Sequence, residues 1–229
     1  MKIAAIGCSF TNYVWPSYSD VLQADNYGLS GIGNDRIWYI LLHLYKTKQL
    51  EMYDAIIIQW TSPYRFDYRT NKGWTHNDGN IATSQHNAYI WNNIKNWYNE
   101  SYEQERTENY IYAIKSILKD INIKAYHMSM TDDIDSLVDL PNLRKLYTAR
   151  YNFRTAPWSN KPFIDDHPTV LDHIEIAKKI ANNLQIDLNQ KIIKRCIEFH
   201  HTVEQTDDFG KIYKLYKSNF PDGYITTGL

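Results

Sequence analysis

The stretch Ile3-Ala4-Ala5-Ile6-Gly7-Cys8-Ser9-Phe10-Thr11 decides how the rest of the chain is read. Four consecutive apolar residues bounded by Lys2 and Gly7 are too few for a secretory h-region, although Ala5 to Cys8 faintly imitates a lipoprotein cleavage site. They suit a strand buried on both faces, Ile3 to Gly7. The same pattern recurs at Ala55 to Trp60 and at Ile123 to Met128. Between these runs lie helical spacings, with Ile37 to Leu44 the first of them. Tyr110 to Ile121 carries Ile111, Ile114, Ile117, Leu118 and Ile121, and Val170 to Leu184 carries Ile174, Ala177, Ile180 and Ala181. Strands alternating with helices imply parallel crossovers, so the expected architecture is α/β, a three-layer α/β/α sandwich around a central parallel sheet. In such sheets the site lies at the carboxyl ends of the strands.

Composition narrows the function classes. The chain has 229 residues, 43% hydrophobic and 22% charged, with 25 Lys and Arg against 26 Asp and Glu. A near-neutral balance offers no field to gather nucleic acid or anionic lipid, and no apolar run approaches the roughly 20 residues needed to span a bilayer. Neither a nucleic-acid partner nor a membrane is expected. Cys8 and Cys196 are too few for a disulfide framework and form no CxxC pair. Cys196 and His200 stand at i and i+4, but two ligands without a third make no metal site, so neither a metal nor an organic cofactor is expected. Nineteen Tyr and seven Trp accompany many Asn, as in Asn87 to Asn99; such surfaces suit sugars, and a codon bias explains them as well. Phe66 to His86, polar with Gly73 and Gly79, reads as an excursion over the sheet's edge and a candidate lid. Residues 1–188 form the expected main domain. Residues 189–229, with helical patterns over Gln190 to Phe199 and Asp208 to Tyr216, form a C-terminal helical extension and a candidate contact surface. With no signal peptide, a cytoplasmic location is expected, with carriage in a virion left open.

The chemistry-bearing residues lie far apart in the chain. Ser9 stands at the tip of the first strand, where Gly7 permits close backbone approach. Phe163-Ile164-Asp165-Asp166-His167-Pro168-Thr169 leads into the helix from Val170, with Thr169 and Asp172 in capping-box spacing. Serine, carboxylate and histidine are the parts of an activated nucleophile: imidazole takes the hydroxyl proton while the carboxylate holds its tautomer and offsets its charge. Each residue has a structural alternative as well. Ser9 would serve as a turn or cap residue, and Cys8, turned the other way by strand parity, as a packed thiol. Asp165 and Asp166 both stand within reach of the imidazole. Asn34 would cap the helix beginning near Ile37, Arg65 would either clamp an anionic substituent of a substrate or pair with a nearby acid, and His173 would pack beside Ile174 and Ala177.

Over about residues 1 to 186 these segments resemble the SGNH hydrolases, the GDSL-type lipase and esterase family. Gly7-Cys8-Ser9-Phe10 is similar to the family's first block, with Cys8 where an aspartate is usual, which implies Ser9 as nucleophile. Asn26-Tyr27-Gly28-Leu29-Ser30-Gly31 is similar to the second, which implies that the Gly31 N–H contributes to the oxyanion hole. Asp165-x-His167-Pro168 is similar to the last, which implies His167 as base and Asp165 as the acid that orients it. The third block differs: the family has Gly-x-Asn-Asp, and this chain has Gln59-Trp60-Thr61-Ser62-Pro63-Tyr64-Arg65. Within the family the chain most resembles phage and marine-bacterial proteins that share Gly-Cys-Ser-Phe-Thr, Trp-Pro, a Gly-rich segment ending in Asn, and Gln-Trp-Thr. On that resemblance Asn34, Thr61 or Ser62 would supply the missing oxyanion donor, whose loss costs on the order of 3 kcal/mol of barrier. The resemblance implies a flavodoxin-like fold and a serine esterase without cofactor, acting on O-acetyl or similar groups of a carbohydrate or small polar ester. Two alternatives accompany it. One is acyl transfer at the same site, which competing acceptors would reveal. The other is a catalytically silent scaffold that binds glycans or serves in a virion. The oligomeric state is not legible.

Overall fold

The computed structural model describes residues 1–71, 73–74, 92, 95–96, 98–154 and 161–220. Most of the candidate lid between Phe66 and His86, most of the aromatic and amide run from Asn87 to Asn99, and the tail from Pro221 lie outside the described residues.

At the centre is a four-stranded, fully parallel sheet. Strands β1 (Ile3–Gly7), β2 (Asp25–Asn26), β3 (Ala55–Trp60) and β6 (Lys124–Ser129) are ordered β2-β1-β3-β6. Every residue of β1 and β3 is buried, as expected for strands covered on both faces. The third sequence-read strand begins one residue later than its apolar run suggests. β2 was invisible because its two residues are polar; backbone pairing of Asp25 and Asn26 with Ala4 and Ala5 makes it a strand. The register sets Gly7 beside Gln59 and Trp60 beside Ser129, so the three longer strands end together. Two short ribbons, β4 (Arg69–Thr70) with β5 (Gly73–Trp74) and β7 (Asn152–Phe153) with β8 (Phe163–Ile164), are antiparallel.

Helices flank the sheet in two groups. The first is α2 (Asn34–Lys46) with α3 (Glu100–Asp120); the second is α1 (Tyr18–Val21), α5 (Val170–Leu184) and the C-terminal α6 (Gln190–Glu204), with the short α4 (Leu143–Leu146) lying between the groups in sequence. α3 begins ten residues before its apolar periodicity. Asn99 caps it, and its first turns bury Glu103 and Thr107 instead of aliphatic residues. The bounds of α5 are those of its apolar pattern, and both halves of the Thr169–Asp172 capping box form. α7 (Phe209–Asn219) follows α6, and its Tyr216 hydroxyl donates to buried Asp20 on α1 at 3.0 Å. Cys196, Phe199, Phe209, Ile212 and Tyr216 belong to the same hydrophobic cluster as the sheet, so the C-terminal helices complete the core on the α1 and α5 side. Among the described residues no helix is long and apolar enough to cross a membrane.

Candidate active site

Ser9 owes its placement to the end of β1. A Cβ at Gly7 would lie 2.8 Å from the Gln59 Cβ, so the close approach of β1 to β3 requires glycine there. Gln59 then turns the chain: its Oε1 accepts from the Cys8 N–H and from the Cys8 thiol, each at 3.1 Å. The N–H groups of Thr11 and Asn12 close a tight turn on the Cys8 carbonyl at 2.9 and 3.2 Å. Cys8 is sealed inside, and Ser9, 4% exposed, lines a cleft of about 440 Å³ at the carboxyl ends of the strands.

The last segment reaches the same cleft. His167 Nε2 lies 2.8 Å from Ser9 Oγ, and its Nδ1 lies 2.7 Å from Asp165 Oδ1, which also accepts the His167 backbone N–H at 2.9 Å. The loop is fixed from three sides. The Asp165 N–H donates to the Tyr151 carbonyl at 3.0 Å beside the β7–β8 ribbon, Trp15 Nε1 donates to the Pro168 carbonyl at 3.0 Å, and the Val170 N–H donates to the Tyr151 hydroxyl at 3.2 Å. His200 on α6 holds that hydroxyl at 2.6 Å, so a C-terminal helix braces the loop. Asp165 is 3% exposed, whereas Asp166 turns outward, lies 3.8 Å from His167 Nδ1 and pairs with Arg144 at 3.1 Å. Of the two adjacent carboxylates, Asp165 makes the contact.

Tyr13 was not anticipated. Its hydroxyl donates to Asp165 Oδ2 at 2.6 Å, and its ring stacks on the His167 imidazole with centroids 3.8 Å apart. Burial, then the Asp165 charge, push its phenol well above the usual range, so it remains a donor. Only its position four residues beyond Ser9 marked it, and no motif singles that out. Phe10 meets the imidazole edge-on at 5.4 Å, so one ring lies parallel to the imidazole and another stands against it. His173 is fully buried beside Tyr18, and burial pushes it down to about 3; it is a neutral packing residue, as its helical position suggested.

The donors expected opposite Ser9 are distributed differently. Gly31 takes φ 77°, a left-handed conformation that suits glycine, and lines the cleft. Asn34 does not offer its amide there. Its Nδ2 donates to the Thr61 carbonyl at 3.1 Å and to Thr107 Oγ1 at 3.2 Å, while its Oδ1 accepts the Thr61 N–H at 2.9 Å. Asn34 therefore ties α2 to the end of β3 and to α3. Nor is it the helix cap: α2 starts at Asn34 itself, and Asp67 caps from a distant loop by accepting the Gly33 and Arg36 N–H groups at 2.8 and 2.9 Å. Thr61 is fully buried, its hydroxyl against Met130 sulfur at 3.8 Å. Arg65 does reach the cleft, 7% exposed, and its Nη1 donates to the Ile32 carbonyl at 3.0 Å.

Among the described residues, two groups of side chains converge within 4.8 Å in a manner that could ligate a metal: Asp165, Asp166 and His167, and His200, His201 and Glu204. In the first, Asp165 and His167 already satisfy each other. In the second, His200 Nδ1 is spent on Tyr151, while burial pushes the nearby Cys196 thiol up to about 12, far from a metal-ready thiolate. A depression of about 910 Å³ at the amino ends of the strands, lined by Tyr53, Asp54, Ile123 and Lys124, holds no serine, cysteine or histidine among the described residues that line it. No family model matches the chain, and neither a curated protein nor a solved structure matches it.

Proposed function

We propose that this protein is a serine esterase of the SGNH type, which removes acyl groups, O-acetyl foremost, from a carbohydrate or another small polar ester. The observation that carries the reading is the unbroken hydrogen-bond run from Ser9 Oγ through the His167 ring to Asp165 and Tyr13, joining positions 158 residues apart. The strand order β2-β1-β3-β6, the beginning of a flavodoxin-like arrangement, and a cleft at the strands' carboxyl ends support it. In this reading Ser9 Oγ attacks the ester carbonyl while His167 Nε2 takes its proton. Asp165 offsets the imidazolium charge, and the N–H groups of Ser9 and Gly31 receive the oxyanion. His167 then protonates the leaving alcohol, and water repeats the sequence on the acyl-enzyme. Phe10, Tyr13 and Phe209 give the cleft aromatic walls against which a sugar ring or an acyl chain packs.

A second reading, the silent scaffold that binds glycans, is favoured by one observation: the Asn34 amide is wholly committed to Thr61 and Thr107. One experiment separates the two. The esterase reading expects turnover of p-nitrophenyl acetate by wild type and not by Ser9→Ala, with a fluorophosphonate adduct mapped to Ser9. Equal, near-background rates for both proteins, or an adduct on Cys8, would defeat it.

A further inference from the structure

The cleft that holds Ser9 also holds a cation with no counter-ion among the described residues. Its other ionisable groups are answered: His167 by Asp165, and Arg144 by Asp166. Arg65 has no carboxylate within ion-pair distance among the described residues, and Asp67, two residues on, spends its oxygens on the Gly33 and Arg36 backbone. Arg65 is nevertheless only 7% exposed, and its Nε–H is enclosed with no acceptor. Buried charges are ordinarily paired, and burying an arginine with one carbonyl for company is unfavourable unless something else completes the site.

The way Arg65 is held indicates what completes it. Nη1 is tethered to the Ile32 carbonyl, one residue beyond Gly31. In a guanidinium the Nε–H lies parallel to an Nη2–H, and that edge is the one left without an acceptor; it matches the two oxygens of a planar carboxylate. The side chain lines the same cleft as Ser9, His167 and Gly31. We propose that Arg65 selects an ester bearing a carboxylate, so that the substrate of this cleft is an acylated acid and not a neutral ester. This deepens the esterase reading and rests on it for the location of the scissile bond. The carboxylate belongs either to the alcohol half, as in an acylated acidic sugar, or to the acyl half, as in a dicarboxylic monoester.

Paired substrates test both sources: 3-acetoxybenzoate against its methyl ester for the alcohol half, and the mono-p-nitrophenyl ester of adipic acid against p-nitrophenyl hexanoate for the acyl half. Wild type should favour the anionic member of one pair by roughly tenfold or more in kcat/KM, Arg65→Gln should bring that ratio close to one, and Arg65→Lys should keep part of it. No preference in either pair, or a ratio that survives Arg65→Gln, overturns the proposal and leaves Arg65 a tether for the Ile32 loop. Thermal unfolding of both variants reports whether the fold persists, and Arg65→Lys carries the comparison if the glutamine variant does not fold. Calorimetric titration of Ser9→Ala with benzoate and with benzamide separates this from a failure of the esterase reading. Benzoate-selective binding that Arg65→Lys or Arg65→Gln weakens sustains the anion site even if no ester is cleaved; equal or absent binding of the two probes overturns it.

Discussion

The two sides of the cleft around Ser9 are built on opposite logics. On the side of His167, each polar atom meets another polar side chain: hydroxyl to imidazole, imidazole to carboxylate, carboxylate to phenol. On the side of Arg65, the nearby amide of Asn34 is spent on holding β3, and the guanidinium is left with one backbone carbonyl. The first side is complete without a ligand. The second leaves the Arg65 Nε–H without an acceptor, and under the proposed esterase reading hydrogen-bond saturation goes with the reacting groups and its absence with the group that binds substrate.

Mutations break this contrast in graded ways. Ser9→Ala or His167→Ala should abolish ester turnover, with losses of about 10³–10⁶ in kcat, read by initial rates on p-nitrophenyl acetate. Asp165→Asn should cost about 10²–10⁴ in kcat, because the amide no longer holds the imidazole tautomer, whereas Asp166→Asn should stay within about threefold. Near-equal losses at these two positions would erase the distinction between the inward and the outward carboxylate. Asn34→Ala deletes three buried hydrogen bonds and should lower unfolding free energy by about 2–3 kcal/mol in denaturant titrations. A stable Asn34→Ala protein with a collapsed kcat would instead return Asn34 to the oxyanion. Tyr13→Phe should reduce kcat about fivefold in initial rates on p-nitrophenyl acetate, since Asp165 loses the phenol that holds its Oδ2.

Asp20 sharpens the same rule away from the cleft. It is a buried carboxylate held by Ser17 and Tyr216 with no cation in ion-pair contact among the described residues, and burial pushes it up to about 6. The folded state therefore takes up a proton at higher pH than the unfolded chain, so stability should rise as pH falls through about 6, opposite to the behaviour of an ion-paired carboxylate. The gain from pH 7 to 5 is about 1 kcal/mol, and Asp20→Asn should flatten it in unfolding curves at those two pH values.

Much of the scaffold was legible because burial on both faces leaves a local trace. Ile3 to Gly7 and Ala55 to Trp60 are continuous apolar runs, and the spacing from Val170 to Leu184 bounds its helix. β2 and the first half of α3 left no such trace. The former is defined by its pairing with Ala4 and Ala5, and the latter buries Glu103 against Arg106, which also pairs with Asp35 on α2, and Thr107 against Asn34. In the candidate site, Ser9, Asp165 and His167 stood out because hydroxyl, carboxylate and imidazole flank a buried strand end and a capped helix start. Tyr13 and Asp67 did not, since each acts on a residue remote in sequence.

By itself, then, the amino-acid order determined the strands and helices buried along an apolar run or face and which side chains have chemistry to offer, because periodicity and capping are local properties. Tertiary structure alone decided that Asp165 and not Asp166 faces His167, that Asn34 serves β3, and that Arg65 is buried with a backbone carbonyl and no carboxylate beside it among the described residues. A donor chooses its acceptor only once the fold has brought the competitors within about 3 Å, and no local pattern encodes that choice.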